Sequence, residues 1–561
     1  MATPTLDAQT TPCRGRWALA VAVVVLGAAA TTWRLWEQDV FWQVRAGREL
    51  LATGHWPTVD TWSYTAAGGP WHNYQWLSTL LLARAERLGG IAGLVLLRDL
   101  AVALLLGLAL VCLRTVRKLR TCLAIALLGL LWLSCARRFQ VRSDFLVTLV
   151  FAALLAADLS RWSWRARRLT FTGLVVLAAN LHPGTAPFVQ LAALACMARD
   201  SDGRSWRREV IPSAAVLAGL LLTPYHVHVL PYLWQHLFYS VYQAVPNPDH
   251  QPLTLAQSWA GRNALGPAAW LVLMLVAGVL AVRRLRGSDR AAFLREGGTL
   301  ALLALLAGLT VNRDRVLPYA AIFALASIGR YWPEGGVVQG KPLVRAGLAA
   351  VVWLVAIPLW LSRPAVQFGL GLDARLHPVG AARFIAEHGL RPQILHFQGE
   401  GNYLLYALPE YPVFLDTRES MYASLAPIYR DMVNNPDLMT AVMDRYRVNT
   451  VLLPEPFLLT PWRDGTSRRA AFFPKRTFAL VYFDEHYLLL ARRIPEHAAL
   501  IAAHEYEYLL PYRAPTAYLS TRDRTPERDL VFQREVERCR REVPSLAHCQ
   551  VAASALPEPA R

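Results

Sequence analysis

Eleven runs of apolar residues fill the first two thirds of this chain, and they limit its fold more than any motif does. They lie near 17–35, 91–113, 121–135, 145–159, 169–181, 185–198, 210–223, 267–282, 298–311, 316–330 and 346–362. The 561 residues are 54% hydrophobic and 17% charged, where soluble domains carry roughly a quarter charged residues. Such a chain is read as an α-helical polytopic membrane protein with about eleven transmembrane helices. Several runs fall short of the ~20 residues that a helix needs to cross hydrocarbon. The pair 169–181 and 185–198 reads either as two helices or as one helix kinked at Pro183. Arg14 and Arg16 followed by "WALAVAVVVLGAAATTW" resemble a signal peptide. The apolar runs that follow favour an uncleaved first anchor.

The formal charge is +18, but its placement speaks for topology rather than nucleic acid. The chain carries no Gly-rich phosphate loop, zinc-type Cys/His spacing or stacking platform. One set of loops is arginine-rich: Arg14/Arg16, Arg114/Arg117/Lys118/Arg120, Arg161/Arg165/Arg167/Arg168, Arg204/Arg207/Arg208, Arg283/Arg284/Arg286/Arg290 and Lys341/Arg345. The alternate loops hold fewer: Arg137/Arg138/Arg142, Arg262 and Arg313/Arg315. The richer set is expected in the cytoplasm. That puts the N-terminus inside, and the first loop, the loop 224–266 and the C-terminal region outside.

From about residue 373 the pattern changes. "QILHF", "PVFLD", "TVLLP", "FALVYFD" and "YLLLARR" read as short strands, with helical stretches such as "GNYLLYAL" between the earlier ones. The expectation is a transmembrane domain over 1–362 that includes a first outer loop, 36–90. An extracytoplasmic α/β domain follows over 373–522, then a charged tail over 523–561 with a helix near 526–541. Cys112, Cys122, Cys135 and Cys196 read as small buried hydrophobes. Cys539 and Cys549 could form a disulfide outside the cytoplasm.

Chemistry concentrates in the first outer loop. Glu37 and Asp39 follow the first apolar run, Asp60 sits in a turn after Pro57, and His72 and Gln75 lie in "HNYQWLS". A carboxylate at the membrane interface suits general-base help to a water-borne acceptor that attacks a lipid-borne group. The loop tryptophans also fit an interfacial belt, with the acids as partners of Arg45 and Arg48. "ANLHPGT" puts His182 at the end of an apolar run, as a ligand or as a satisfied helix end. His226, His228 and His236 lack the spacing of a helical metal pair, and no metal site is read. Arg313 and Arg315 in "NRDR" break the inside preference for arginine. Phosphate binding would explain them, as would a salt bridge to Asp314 or to a first-loop acid. Arg98, inside an apolar run beside Asp99, is a candidate for contacting a lipid phosphate or for holding Asp39.

Together these segments resemble the polytopic glycosyltransferases of the C-type fold (GT-C), which include protein O-mannosyltransferases, lipid A aminoarabinose transferases and oligosaccharyltransferases. Within that superfamily the chain is most similar to a poorly characterised bacterial group. The stretches that carry the resemblance are "DVFWQVRAGRELL", "PTVDTWSYT", "HNYQWLS", "NLHPG", "TPYHVHVL", "NRDRVLPYAAIFAL", "GNYLLYALPEYPVFLDTRESMY" and "YRVNTVLLP". It reaches to about residue 495. The resemblance implies a polyprenyl-phosphate-linked sugar donor, inverting transfer at the outer face of a bacterial inner membrane, and a first-loop catalytic acid that maps to Asp39. The chain departs from the group at Gln43, at Tyr74–Gln75 and at Arg142-Ser143-Asp144.

Three readings compete. A glycosyltransferase would use Asp39, with Glu37, as catalytic acid residues, and Asp60, His72, Gln75, Arg98, His182, Arg313 and Arg315 toward substrate. Its acceptor would be a glycan, lipid or protein. A transporter or flippase predicts ionisable residues spread through the spans and repeat symmetry, which the sequence does not display. An envelope-assembly protein would bind a cell-wall partner through its outer domain and would depend on residues 373–522 independently of any activity.

Overall fold

The computed structural model describes residues 11–115, 121–200, 206–238, 265–286, 289–333, 342–364, 366–459, 472–522 and 524–556. Arg117, Lys118, Arg120, Arg204, Arg262, Lys341 and most of the expected outer loop 224–266 lie outside them. The chain divides into two compact units. One holds residues 1–37, 46–52 and 73–372, and the other holds 38–45, 53–72 and 373–561.

The first unit is helical. Each of the eleven apolar runs folds on a helix of its own: α1 (Thr11–Ala29), α3 (Trp76–Thr115), α4 (Thr121–Cys135), α5 (Ser143–Asp158), α6 (Trp164–Leu181), α7 (Ala186–Arg199), α8 (Trp206–Ala218), α10 (Leu265–Leu285), α11 (Arg290–Asn312), α12 (Leu317–Tyr331) and α13 (Pro342–Leu361). The chain breaks at His182–Thr185, so α6 and α7 are two helices that pack on each other rather than one kinked rod. α2 (Asp39–Thr53) is divided between the units, and α9 (Val229–Phe238) follows a bend after α8.

The expected count of about eleven transmembrane helices does not stand. Among the described residues three helices are long and apolar enough to cross a membrane: Trp76–Leu113, Thr121–Arg138 and Leu265–Leu285. The pair Glu209–Leu221 and His226–Gln235, bent by 77°, would make a fourth. The reason is length and charge. α5, α7 and α12 have 16, 14 and 15 residues, and α6 opens with three arginines in its first five positions. Orientation therefore rests on the loop charges and not on the parity of a count.

The unit is apolar inside and out, as expected of helices packed in lipid. On α3, Val95, Val102, Leu105 and Leu106 are buried, while Leu96, Leu100 and Leu104 recur every four residues on an exposed stripe. The core is knitted by indole donors. Trp132 Nε1 bonds to Gly27 O at 2.9 Å and Trp353 Nε1 to Ile125 O at 3.0 Å. A Cβ on Gly27 would lie 2.7 Å from Leu106 and 2.9 Å from Trp353, so only glycine lets α1 approach this closely.

The second unit is built on a four-stranded sheet of order β1-β2-β4-β3, with β1 (Ile394–Leu395), β2 (Thr450–Pro454), β3 (Phe478–Phe483) and β4 (Tyr487–Arg492). β1 pairs parallel to β2, and β4 pairs antiparallel to β2 and to β3. The β3–β4 turn is set by Asp484, whose Oδ1 accepts from His486 N and Tyr487 N at 2.8 Å each. "PVFLD" does not form a strand. Only Val413 bridges, to Ser63 on one side and Ile394 on the other, because Asp416 and Arg418 turn the chain into a side-chain network instead. Helix α14 (Val379–His388) precedes β1, and α15 (Gln398–Ala407), α16 (Ala426–Met432) and α17 (Pro436–Arg445) occupy the stretches read as helical between the earlier strands. At the C-terminal end, α20 (Pro526–Glu542) and α21 (Ala547–Ser554), which follow the short helices α18 (Glu455–Leu459) and α19 (Ala498–His504), are joined by a Cys539–Cys549 disulfide. Glu535 of α20 accepts from the backbone N–H groups of Glu507, Tyr508 and Leu509, which fastens the segment before it.

Candidate functional site

The helices of the first unit bring their polar ends together at Asp144. This residue opens α5, where a carboxylate suits the helix dipole. Arg138, in the short 3₁₀ turn after α4, reaches Asp144 Oδ2 with Nη2 at 2.8 Å. Arg315, just before α12, lies 4.0 Å from the same oxygen, and Arg142 Nε lies 3.9 Å from Oδ1. Arg142 also pairs with Glu37 at 3.5 Å. Three guanidiniums lie close to Asp144 or Glu37, and arginine's planar fork matches phosphate oxygens.

Neutral groups hold this cluster in place. Ser143 Oγ donates to Gln75 Oε1 at 2.5 Å, and Tyr319 OH donates to the Asp144 carbonyl at 3.2 Å. His182 is buried, with Nδ1 3.1 Å from Thr185 Oγ1 across the break between α6 and α7. Tyr74 OH donates to His228 O at 3.0 Å and stacks on Tyr232 at 4.7 Å. The two departures at Tyr74–Gln75 therefore both serve as fasteners of the cluster's surroundings.

The structure distributes the expected site residues in three places. Glu37, Gln75, His182 and Arg315 lie around Asp144. Arg313 precedes the turn Asp314–Val316, where Asp314 pairs with Arg137 at 3.3 Å. Arg315 approaches Asp144, on α5, at 4.0 Å. Arg98 lies elsewhere. It is 2% exposed, and its Nη2 donates to the carbonyls of Thr31 at 2.5 Å and Trp33 at 2.6 Å. It sits 4.7 Å above the Trp33 ring and 3.5 Å from Asp99, which accepts from Thr31 and Thr32. These bonds lash the end of α1 to α3. Arg98 acts here as a fastener of the chain, because its Nη2 bonds the carbonyls of Thr31 and Trp33.

Asp39, Asp60 and His72 belong to the second unit. Asp39 is half-buried in the first turn of α2, and His72 is half-buried at the end of the first loop. Asp60 is 1% exposed and fully engaged. It accepts from Trp62 N, Ser63 N and Ser63 Oγ, and pairs with Arg418 Nη1 at 2.9 Å. Arg418 forks onto Asp416 at 2.9 and 2.7 Å and lies between the rings of Trp62 and Trp71, 4.3 and 4.5 Å from their centroids. Asp60 is thus a buried cross-link between the loop 53–72 and the segment after β1.

Two further titratable groups of the second unit are buried on either side of Gly401. A Cβ on Gly401 would lie 2.0 Å from Leu415 O and 2.6 Å from the His396 ring, so the helix start can pack here only as glycine. His396 receives Phe414 N–H on Nε2 at 2.9 Å and faces Phe397 O with Nδ1 at 2.8 Å, which fixes the neutral tautomer. Burial pushes Glu400 up to about 7 and His396 down to about 4, the latter opposed by the bond to Phe397. The signs of linkage are opposite. Glu400 costs stability progressively as pH rises from its unfolded value near 4.5 through about 7. His396 costs stability as pH falls from near 6.5 through about 4. Between these limits the two slopes offset. Glu400→Gln is expected to remove one of them, leaving a stability that falls steadily as pH drops from 6.5 to 4, at up to ~1.4 kcal/mol per unit. Thermal melts at half-unit pH steps check this, and an unchanged pH profile would count against it.

The sequence reading named Arg142-Ser143-Asp144 only as a departure from the related group and assigned none of Asp144, Arg138 and Arg142 to the site. The signal was present, since Arg137, Arg138 and Arg142 also lie in a loop of the arginine-poor set, the anomaly already noted for Arg313 and Arg315. Among the described residues, no group of three or more His, Cys, Asp or Glu side chains is placed to hold a metal ion.

The sequence matches no protein-family model and no curated relative. Solved structures do match. The oligosaccharyltransferase AglB of Archaeoglobus fulgidus, in complex with an inhibitory peptide and a dolichol-phosphate, superposes with a TM-score of 0.50 at 11% identity, over 84% of this chain and 73% of that one. The same enzyme tethered to an acceptor peptide gives 0.52 at 12% identity. ArnT of Cupriavidus metallidurans in the apo state gives 0.50 at 14%, over 87% of this chain and 99% of that one. The fold resembles that of these two enzymes. At these identities the likeness is one of fold, for a polytopic membrane scaffold followed by a C-terminal domain.

Proposed function

We propose that this protein is a membrane glycosyltransferase. It moves a sugar from a polyprenyl-phosphate-linked donor to a glycan, lipid or protein acceptor at the outer face of a bacterial inner membrane, with inversion. The observation that carries this reading is the convergence of Arg138, Arg142 and Arg315 around Asp144, at the helix ends of a fold similar to that of an enzyme solved with a dolichol-phosphate. Arg138, Arg142 and Arg315 hold the donor phosphate, with Arg313 beside them. Gln75 and His182 keep the cluster in register, and His72 borders the same loop.

In the transfer step the acceptor oxygen attacks the anomeric carbon. Its proton passes to the Asp39 carboxylate. The bond from the anomeric carbon to the phosphate oxygen breaks, and polyprenyl phosphate leaves with the electron pair. Arginines stabilise that charge without a divalent ion. Glu37, two positions before Asp39, is held by Arg142 and tunes the same stretch of chain. Acceptor choice is assigned to the second unit, taken to lie outside the cytoplasm, a reading that the loop charges and the Cys539–Cys549 disulfide support.

The test is transfer of labelled sugar from a polyprenyl-phosphate donor by the purified protein, with mass spectrometry for retained polyprenyl phosphate. Arg315→Gln is expected to raise the donor KM roughly tenfold to a hundredfold, the worth of one charge-assisted hydrogen bond. No transfer to any acceptor class, together with no retained lipid, would remove this reading in favour of an assembly role.

A further inference from the structure

Four helices of the first unit carry a polar residue at each end, at matched spacing. Asp144 and Asp158 on α5, Arg168 and His182 on α6, and Thr185 and Arg199 on α7 are each fourteen positions apart, and Arg315 and Arg330 beside α12 are fifteen. At 1.5 Å per residue this sets a second polar layer roughly 21 Å from the Asp144 cluster, across an apolar middle.

The second layer is an ion network of its own. Asp158 pairs with Arg199 and, at 3.6 Å, with Arg330. Arg330 approaches Glu296 at 4.0 Å, and Tyr331 OH donates to Glu296 at 2.7 Å. Arg167 pairs with Asp200 at 2.7 Å. Arg168 at the same end has no such partner among the described residues. It is 8% exposed, Nη1 is sealed without a hydrogen bond, and no carboxylate among the described residues lies within 4.0 Å of it. A buried guanidinium without a counter-ion is costly and draws an anion. The surroundings identify which kind. Arg168 and Arg165 both lie over the Trp164 ring, at 5.2 and 5.4 Å. Trp162 and Leu169 are 54% and 75% exposed. Exposed indole and aliphatic groups beside arginines mark the headgroup level of a bilayer.

We propose that Arg168 binds the phosphate of an anionic membrane lipid, at the end of the helical unit opposite the Asp144 cluster. Its partners are Arg165 and the Trp164 ring. This site is separate from the one proposed for sugar transfer, and its test does not use transfer.

The full-length protein in detergent is melted with added phosphatidylglycerol, phosphatidylcholine or inorganic phosphate. Phosphatidylglycerol is expected to raise Tm by roughly 3 °C or more, and the other two are not. Arg168→Gln should lose that rise and Arg168→Lys should keep part of it. An equal rise with inorganic phosphate, or with phosphatidylcholine, would overturn the lipid assignment, as would an undiminished rise in Arg168→Gln. Should Arg168→Gln fail to fold, native mass spectrometry of the wild-type protein decides. Retained phosphatidylglycerol in preference to phosphatidylcholine supports the site, and no preference overturns it.

Discussion

Asp39→Asn is expected to lower kcat for sugar transfer by ~10²–10⁴, the usual worth of a positioned general base. The amide keeps the size and most of the hydrogen-bonding capacity of the carboxylate, but it cannot take the acceptor proton. Asp39 lies in the first turn of α2, where its charge contributes only about 0.3–1 kcal/mol through the helix dipole. The variant should therefore insert, fold and retain lipid like the parent. Kinetics separate it from Arg315→Gln, because the base variant changes kcat and the arginine variant changes donor KM. Full transfer activity in Asp39→Asn, measured on protein of verified fold, would remove Asp39 as the base. Glu37, already paired to Arg142, would then be the next carboxylate to test.

The second large effect is structural. Arg418→Met leaves the buried carboxylates of Asp60 and Asp416 without their shared counter-ion. Breaking a buried pair by removing one partner costs roughly 3–5 kcal/mol. For a unit of about 200 residues that is a fall in Tm of about 10 °C. Trp62 and Trp71 flank the guanidinium, so their fluorescence reports the loss directly. Arg418→Lys should recover little, since an ammonium cannot fork onto Asp416 while also reaching Asp60. A loss below 1 kcal/mol in Arg418→Met would show that the carboxylates are satisfied by other means.

These two residues show how differently site and scaffold can be read. Asp39 draws attention in the sequence because it is an acid beside an apolar run, and its proposed role is a matter of chemistry. Asp60 draws attention for the same reason, yet its oxygens are all taken by a turn and by an arginine more than 350 positions away. Arg98 likewise reads as a phosphate ligand by depth and charge, but its Nη2 goes to the carbonyls of Thr31 and Trp33. Polarity at an unusual place marks importance without saying whether a group faces a ligand or its own chain.

The sequence by itself determined where the helices and most strands lie, because apolar periodicity and turn residues act locally. It located each apolar run on a helix, the β2, β3 and β4 segments, and the Cys539–Cys549 pairing. It did not determine how many helices are long enough to cross a bilayer, since the chain breaks at positions such as His182–Thr185 are set by packing between α6 and α7. Nor did it reveal the Asp144 cluster or the burial of Arg168 with no carboxylate partner among the described residues. Those arise from ends of several helices meeting in space, and the pairing of charges at such ends depends on long-range contacts that no local pattern encodes.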